Sequence, residues 1–199
     1  MAMSPKEKPA LIIIDMVKDY FKPENAYPIT PLARQIIPPL NRVIARFHEK
    51  KFPVVFATDA FEADDFFFTG RMHPHAIKGS PGAEVVTDLD RTDGDYWLPK
   101  PRFSAFFQTD LAEHLKAQGV TLCAVAGIAT HFCVLATVMD SVCHAFKTAL
   151  LEDCSADFSP QAHEQCLGLY RKNPLYPLLQ VLKSGEFLGQ PFFSHHGQG

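Results

Sequence analysis

The segment ALIIID, residues 10–15, is apolar at five consecutive positions and then stops on an acid. A strand that alternates apolar and polar residues can leave one face in water. A strand apolar throughout must be covered on both faces, and that is the signature of a parallel sheet sandwiched between helices. FPVVFATDA (52–60) repeats the pattern and reaches Asp59 near its end. VTLCAVAG (120–127) and KTALLEDC (147–154) repeat it again, DYWLPK (95–100) reads as a short strand, and PLLQVLK (177–183) as a sixth strand at an edge.

Helical segments lie between these runs. Leu40, Val43, Ile44 and Phe47 recur at helical spacing behind Pro38 and Pro39, which place a helix start there. TDLAEHLKAQG (109–119) has Thr109 as N-cap and Gly119 as terminator. Thr130 is the expected N-cap of a helix reaching about residue 144, and PQAHEQCLGLYRK (160–172) is another helix. Strand–helix alternation predicts an α/β fold of three layers, a six-stranded parallel sheet with helices on both faces. Residues 60–94 form a long insert rich in Phe, Asp, Gly and Pro, and inserts of this length usually carry function. The tail FFSHHGQG, with its paired histidines, reads as loose.

With 199 residues, 47% of them hydrophobic, the chain suits one domain over 1–199 with a core at about 10–185. A net charge of −3 gives no basic face for nucleic acid. No apolar stretch reaches the ~20 residues of a membrane helix, and MAMSPKEKPA lacks the apolar centre of a signal peptide. These features point to the cytoplasm. The five cysteines are odd in number, widely spaced and without a C-x-x-C, which argues against a disulfide framework or a zinc finger.

Parallel sheets of this kind place their sites beyond the carboxyl ends of the strands. Asp15, Lys100 and Cys133 each stand at such an end. Cys133 in the first turn of a helix would meet unpaired N–H groups and a dipole that favour a thiolate, and a neighbouring acid could take its proton. A free cysteine in an apolar segment is otherwise plain packing.

Three segments in order, LIIIDMVKDYF, KPRFSAFFQTDL and GIATHFCVLATVMDS, resemble the signature segments of the isochorismatase-like cysteine hydrolases, which include nicotinamidases, N-carbamoylsarcosine amidases and isochorismatases. The resemblance implies Asp15 as acid/base, Lys100 as the lysine and Cys133 as the nucleophile. It also implies a cis peptide at Ile128–Ala129 and an oxyanion hole from the Ala129 and Cys133 backbone N–H groups. Tyr20, Phe21, Phe61, Phe103 and His131 are the residues it suggests for the substrate pocket. The implied protein is a hydrolase of a small molecule at an amide C–N bond, working without a cofactor and as a homo-oligomer. Nicotinamidase, isochorismatase proper, and a non-catalytic binder on the same fold are the alternatives. A thiol redox sensor would want a resolving cysteine at short spacing, and none stands there.

Several positions depart from the family pattern. Nicotinamidases bind a metal through Asp-x-His and a later histidine; here Asp59 and His75 fit, but Phe61 stands in place of the first histidine. Two protein ligands are too few for zinc, so no metal site is expected unless Glu62, Asp64 or His73 completes it. Val17 replaces a polar amide side chain, His131 an acid, Phe103 a tyrosine and Ala145 a glycine. Phe61, Phe66, Phe67 and Phe68 could wall a pocket, with part of the cluster reading rather as a subunit contact.

Overall fold

The computed structural model describes residues 6–23 and 27–194. Its centre is one six-stranded sheet of order β3-β2-β1-β4-β5-β6, with every pairing parallel. The strands are β1 (Pro9–Ile14), β2 (Val54–Asp59), β3 (Tyr96–Lys100), β4 (Leu122–Ile128), β5 (Lys147–Ala156) and β6 (Leu179–Leu182). β1, β2 and β4 are buried at every position, as their unbroken apolar runs require. Within β1 the pleat divides the side chains. Leu11 and Ile13 join a core beneath α1 (Thr30–Glu49), while Ile12 and Ile14 join a second core beneath α2 (Leu111–Ala117) and α3 (Leu135–Cys143). The sheet therefore has helices on both faces, as the alternation of elements predicts.

Several local expectations need correction. α1 begins at Thr30, with Pro31 in its first turn, and Pro38 and Pro39 lie inside it. The prolines deprive the carbonyls of Arg34 and Gln35 of their helical donors, but both residues are exposed and water can serve instead. In return, Ala33, Ile36 and Ile37 extend the buried stripe of Leu40, Val43, Ile44 and Phe47. Thr109 is not the N-cap of α2; that position is Asp110, and the Thr109 hydroxyl donates to the Ala105 carbonyl. Gly119 does end the helix, at φ +71. α4 (Pro160–Tyr170) is capped by Ser159, whose hydroxyl accepts from the Ala162 N–H. The tail is less loose than its composition suggests. α5 (Ser184–Leu188) and α6 (Pro191–Ser194) place Phe187 and Phe193 in the core against Phe47, with Phe192 packed on both, whereas the paired His195 and His196 lie outside the described residues.

The 60–94 insert is packed against the strand ends. Val86 N–H donates to the Met16 carbonyl, Lys18 N–H to Glu84, and Phe61 exchanges backbone bonds with Ala76 and Lys78. Asp19 is buried beneath it: one oxygen accepts from the Ala76 N–H at 2.8 Å and the other pairs with Lys22 at 2.6 Å. An added Cβ at Gly82 would fall 2.2 Å from the Asp19 carboxylate, so any larger residue there would have to displace it. No helix among the described residues is long and apolar enough to cross a membrane.

Candidate active site

The strand order reverses between β1 and β4, the place where open α/β sheets form their sites. The two strand ends approach closely. Gly127 sits at φ +113, and a Cβ there would lie 2.2 Å from the Ile14 carbonyl oxygen. Asp15 follows β1 at φ 54, a left-handed conformation that aspartate tolerates better than most residues. On the other side, Asp59 ends β2 and is in register with Lys100 at the end of β3. Four neighbouring strands thus deliver Asp59, Lys100, Asp15 and the turn carrying Cys133 to one place.

Lys100 stands between Pro99 and Pro101, a setting that leaves most lysines in solvent, yet it is completely buried. Its ammonium donates to Asp59 Oδ1 and to the Arg102 carbonyl at 3.1 Å, and it lies 3.0 Å from Asp15 Oδ2. Burial disfavours the ammonium, but the charges of Asp15 and Asp59 outweigh it and hold the pKa of Lys100 above its ordinary value. Asp15 Oδ1 accepts from the Asp59 backbone N–H at 2.7 Å. Asp15 Oδ2 is different: it is buried and makes no well-directed hydrogen bond. Burial, then the Asp59 charge, push the Asp15 pKa up to about 7 against the pull of Lys100.

Cys133 is presented by a widened turn. Residues Thr130–Val134 form one π-helical turn, closed by Val134 N–H donating to the Ala129 carbonyl at 3.2 Å, before α3 begins. Such turns recur at functional sites because they reposition one side chain without ending the helix. Thr130 is not its N-cap; Ala129 is, and the Thr130 hydroxyl instead meets His163 Nδ1 at 2.8 Å. The Ile128–Ala129 peptide is cis. Thr137, completely buried, donates to the Cys133 carbonyl at 2.8 Å and accepts from the Ala105 N–H at 3.0 Å, tying this turn to the segment after Lys100. The ligand atoms of Cys133, Asp15 and Asp59 lie within 4.8 Å of one another. A resting thiolate, expected from a helix start, does not follow. Burial and then the Asp15 charge push the Cys133 thiol well above its ordinary range, with Lys100 only partly opposing them. The resting group is a thiol beside a carboxylate that is ion-paired with Lys100.

These residues border a cavity of about 100 Å³. Of the residues singled out in the sequence, Asp15, Tyr20, Asp59, Phe103, Ala129 and Cys133 line it. Phe21, Phe61 and His131 do not. Phe21 packs into the core beneath α1. Phe61 is buried behind His75, with ring centroids 5.4 Å apart. His131 turns to Asp157, whose Oδ2 accepts from its backbone N–H at 3.0 Å and lies 2.6 Å from its Nδ1. Ile29, Met72, Phe132 and Phe158 complete the wall without having been singled out. Phe132 stands inside the cysteine motif and could have been found there; the others come from distant loops. In the Phe-rich stretch, Phe67 stacks on Phe103 at 4.9 Å and so backs the wall, while Phe66 is 74% exposed.

The donor set does not fit a zinc ion. Asp59 is committed to Lys100. His75 Nδ1 donates to the His73 carbonyl and Nε2 meets the Tyr20 hydroxyl, each at 2.8 Å, so both ring nitrogens are engaged. Burial, reinforced by Asp59 and Asp15, keeps Tyr20 a phenol. Glu62 pairs with Lys78 in solvent, Asp64 and His73 are exposed, and Phe61 offers only an apolar ring. Asp15, Asp59 and Cys133 do cluster, but the cation they surround is Lys100.

A family model described as the isochorismatase domain matches residues 9–177. A curated relative named as a probable inactive nicotinamidase, from Arabidopsis thaliana, is 32% identical over 166 residues, covering 77% of this chain and 83% of its own. The crystal structure of N-carbamoylsarcosine amidase from Thermoplasma acidophilum is similar at TM-score 0.76 and 29% identity, over 89% of this chain and 96% of that one. The pyrazinamidase of Pyrococcus horikoshii, solved in complex with zinc, is similar at TM-score 0.76 and 30% identity, over 88% and 99%.

Proposed function

The chain belongs to the isochorismatase family, and from that premise we propose that it is a cysteine-dependent hydrolase of a small amide. The observation that carries this reading is the buried Asp15 Oδ2, left without a well-directed hydrogen bond beside the buried Cys133 thiol and 3.0 Å from the Lys100 ammonium. That oxygen faces both the thiol that gives up the proton and the ammonium that balances the charge, the setting a proton acceptor needs.

Asp15 takes the Cys133 proton as the sulfur attacks the amide carbonyl carbon. Lys100 compensates the negative charge that remains in the group. The backbone N–H groups of Ala129 and Cys133, both on residues that line the cavity, hold the developing oxyanion. The C–N bond breaks as Asp15 returns its proton to the leaving nitrogen, and a thioester remains on Cys133. Water, losing a proton to Asp15, adds to the thioester, and collapse of that adduct releases the acid and restores the thiol. An Asp15 pKa near 7 suits a group that must both take and give a proton at neutral pH. Each step uses residues of this chain alone.

The test is a hydrolysis screen over simple amides, nicotinamide, carbamoyl compounds and isochorismate, with wild type and Cys133→Ala side by side. Turnover by the wild type that vanishes in the variant is expected. Turnover that survives the substitution would end the cysteine mechanism. The probable inactivity in the name of the Arabidopsis relative gives a second reading, a binder that keeps the fold, and failure of every amide would favour it.

A further inference from the structure

We propose that the cavity accepts only an uncharged acyl group and turns away substrates carrying a carboxylate; this deepens the hydrolase reading and rests on it. Among the described residues no lysine or arginine side chain lines the cavity. Its wall is Ile29, Met72, Phe103, Phe132 and Phe158, with Tyr20 and His75 already bonded to each other. Lys100, which belongs to the reacting group, is completely buried with Asp15 and Asp59 and engaged by both. Once Asp15 has ionised, as at pH 8, two carboxylates and one ammonium leave the group with a net charge of −1. Passing the thiol proton to Asp15 does not alter that sum, so the site stays negative through the chemical step. A carboxylate entering it would lose its water, find no countercharge and face like charges.

Neighbouring cations do not repair this. Arg102 is held by Asp65 at 2.9 Å and lies over the Phe67 ring, outside the lining. Lys18 pairs with Glu84 and Lys22 with Asp19. Arg71 is exposed beside Met72 and is not part of the wall. Charge neutrality and an apolar contour therefore select a neutral amide, with an aliphatic or aromatic acyl group small enough for about 100 Å³.

Iodoacetamide and iodoacetate differ little in size and by one charge, and they test the cavity without a known substrate. Labelling rates at Cys133 are measured for both reagents at pH 8 by peptide mapping, with the exposed Cys143 of the same molecule as reference. The preference of Cys133 for iodoacetamide should exceed that of Cys143 by about tenfold or more, the size of effect a nearby unscreened like charge produces. Met72→Lys, which sets a cation in the wall, should narrow the gap. Equal preferences at the two cysteines, or faster labelling of Cys133 by iodoacetate, would overturn the proposal and point to a cation such as Arg71 reaching the cavity. In parallel, benzamide and 3-carboxybenzamide are offered as substrates, with hydrolysis of the first alone expected. Hydrolysis of the acid at a comparable rate overturns the selectivity while leaving the cysteine mechanism standing. A charge preference at Cys133 with no amide hydrolysed, in this pair or in the wider screen, supports the selectivity and refutes the hydrolase reading instead.

Discussion

Replacing Lys100 by methionine keeps much of the side chain's bulk and removes its charge. The ammonium lies 3.0 Å from Asp15 Oδ2. At an effective dielectric constant of ~20 a charge pair at that separation is worth roughly 5 kcal/mol, equivalent to about four pKa units before relaxation and water entry reduce it. Asp15 already titrates at about 7 with the lysine present. Without it the carboxyl stays protonated through neutral pH and cannot take the thiol proton, and Cys133 loses the single charge that pulls its own pKa down. Asp59 would also be left buried without its partner, at a cost to folding of ~3–5 kcal/mol. The double variant Lys100→Met with Asp59→Asn removes one charge of each sign and guards against misfolding as the cause. The assay is the iodoacetamide labelling rate of Cys133 from pH 6 to pH 10, referenced to Cys143. Both variants should show the Cys133 profile displaced upward by at least about one unit, with Cys143 unmoved. A Cys133 profile identical to wild type in a folded variant would refute the role given to Lys100.

The rate of amide hydrolysis should rise with pH through an apparent value of about 7, because the base form of Asp15 must be present, and Asp15→Asn should abolish it. The same group makes stability pH-dependent. Its folded pKa of about 7 lies above the ordinary aspartate value of about 3.9, so the folded state binds the proton more tightly, and the stability this gives below pH 4 is lost as pH rises toward 7. The loss is roughly 4 kcal/mol at most, visible as a falling Tm between pH 4 and 7 that is shallower in Asp15→Asn. Gly127→Ala should lower stability by about 3 kcal/mol or more in urea unfolding, since its Cβ would meet the Ile14 backbone at 2.2 Å; a variant as stable as wild type would contradict the close approach of β1 and β4. Ala145→Gly should raise stability by about 1 kcal/mol in the same assay, because Ala145 ends its helix at φ +67, where glycine meets no penalty. Chelation should leave hydrolysis unchanged and elemental analysis should find no stoichiometric zinc, because Asp59 and both nitrogens of His75 are committed within the protein.

Much of the architecture was legible without coordinates, because burial on both faces writes itself into a strand as an unbroken apolar run. ALIIID and VTLCAVAG could only be central strands, and their C-terminal ends had to lie at one edge of a parallel sheet. The motif segments likewise pointed to Asp15, Lys100 and Cys133, since each occupies a fixed offset from a strand end. What local pattern could not convey is anything set by residues distant along the chain. Pro38 and Pro39 read as a helix start, yet the helix runs through them, because the buried stripe from Ala33 to Phe47 outweighs two lost backbone bonds on an exposed face. Lysine between prolines reads as solvated, yet Lys100 is buried, because Asp15 and Asp59 arrive from two other strands to receive it. A cysteine near a helix start reads as a thiolate, yet burial and the Asp15 charge keep Cys133 a thiol. The cavity wall of Ile29, Met72 and Phe158 carries no motif, being assembled from loops whose only relation is spatial. Side-chain chemistry and strand ends belong to the sequence; the charge balance around them, and hence what the cavity will admit, is a property of distances that only the folded chain fixes.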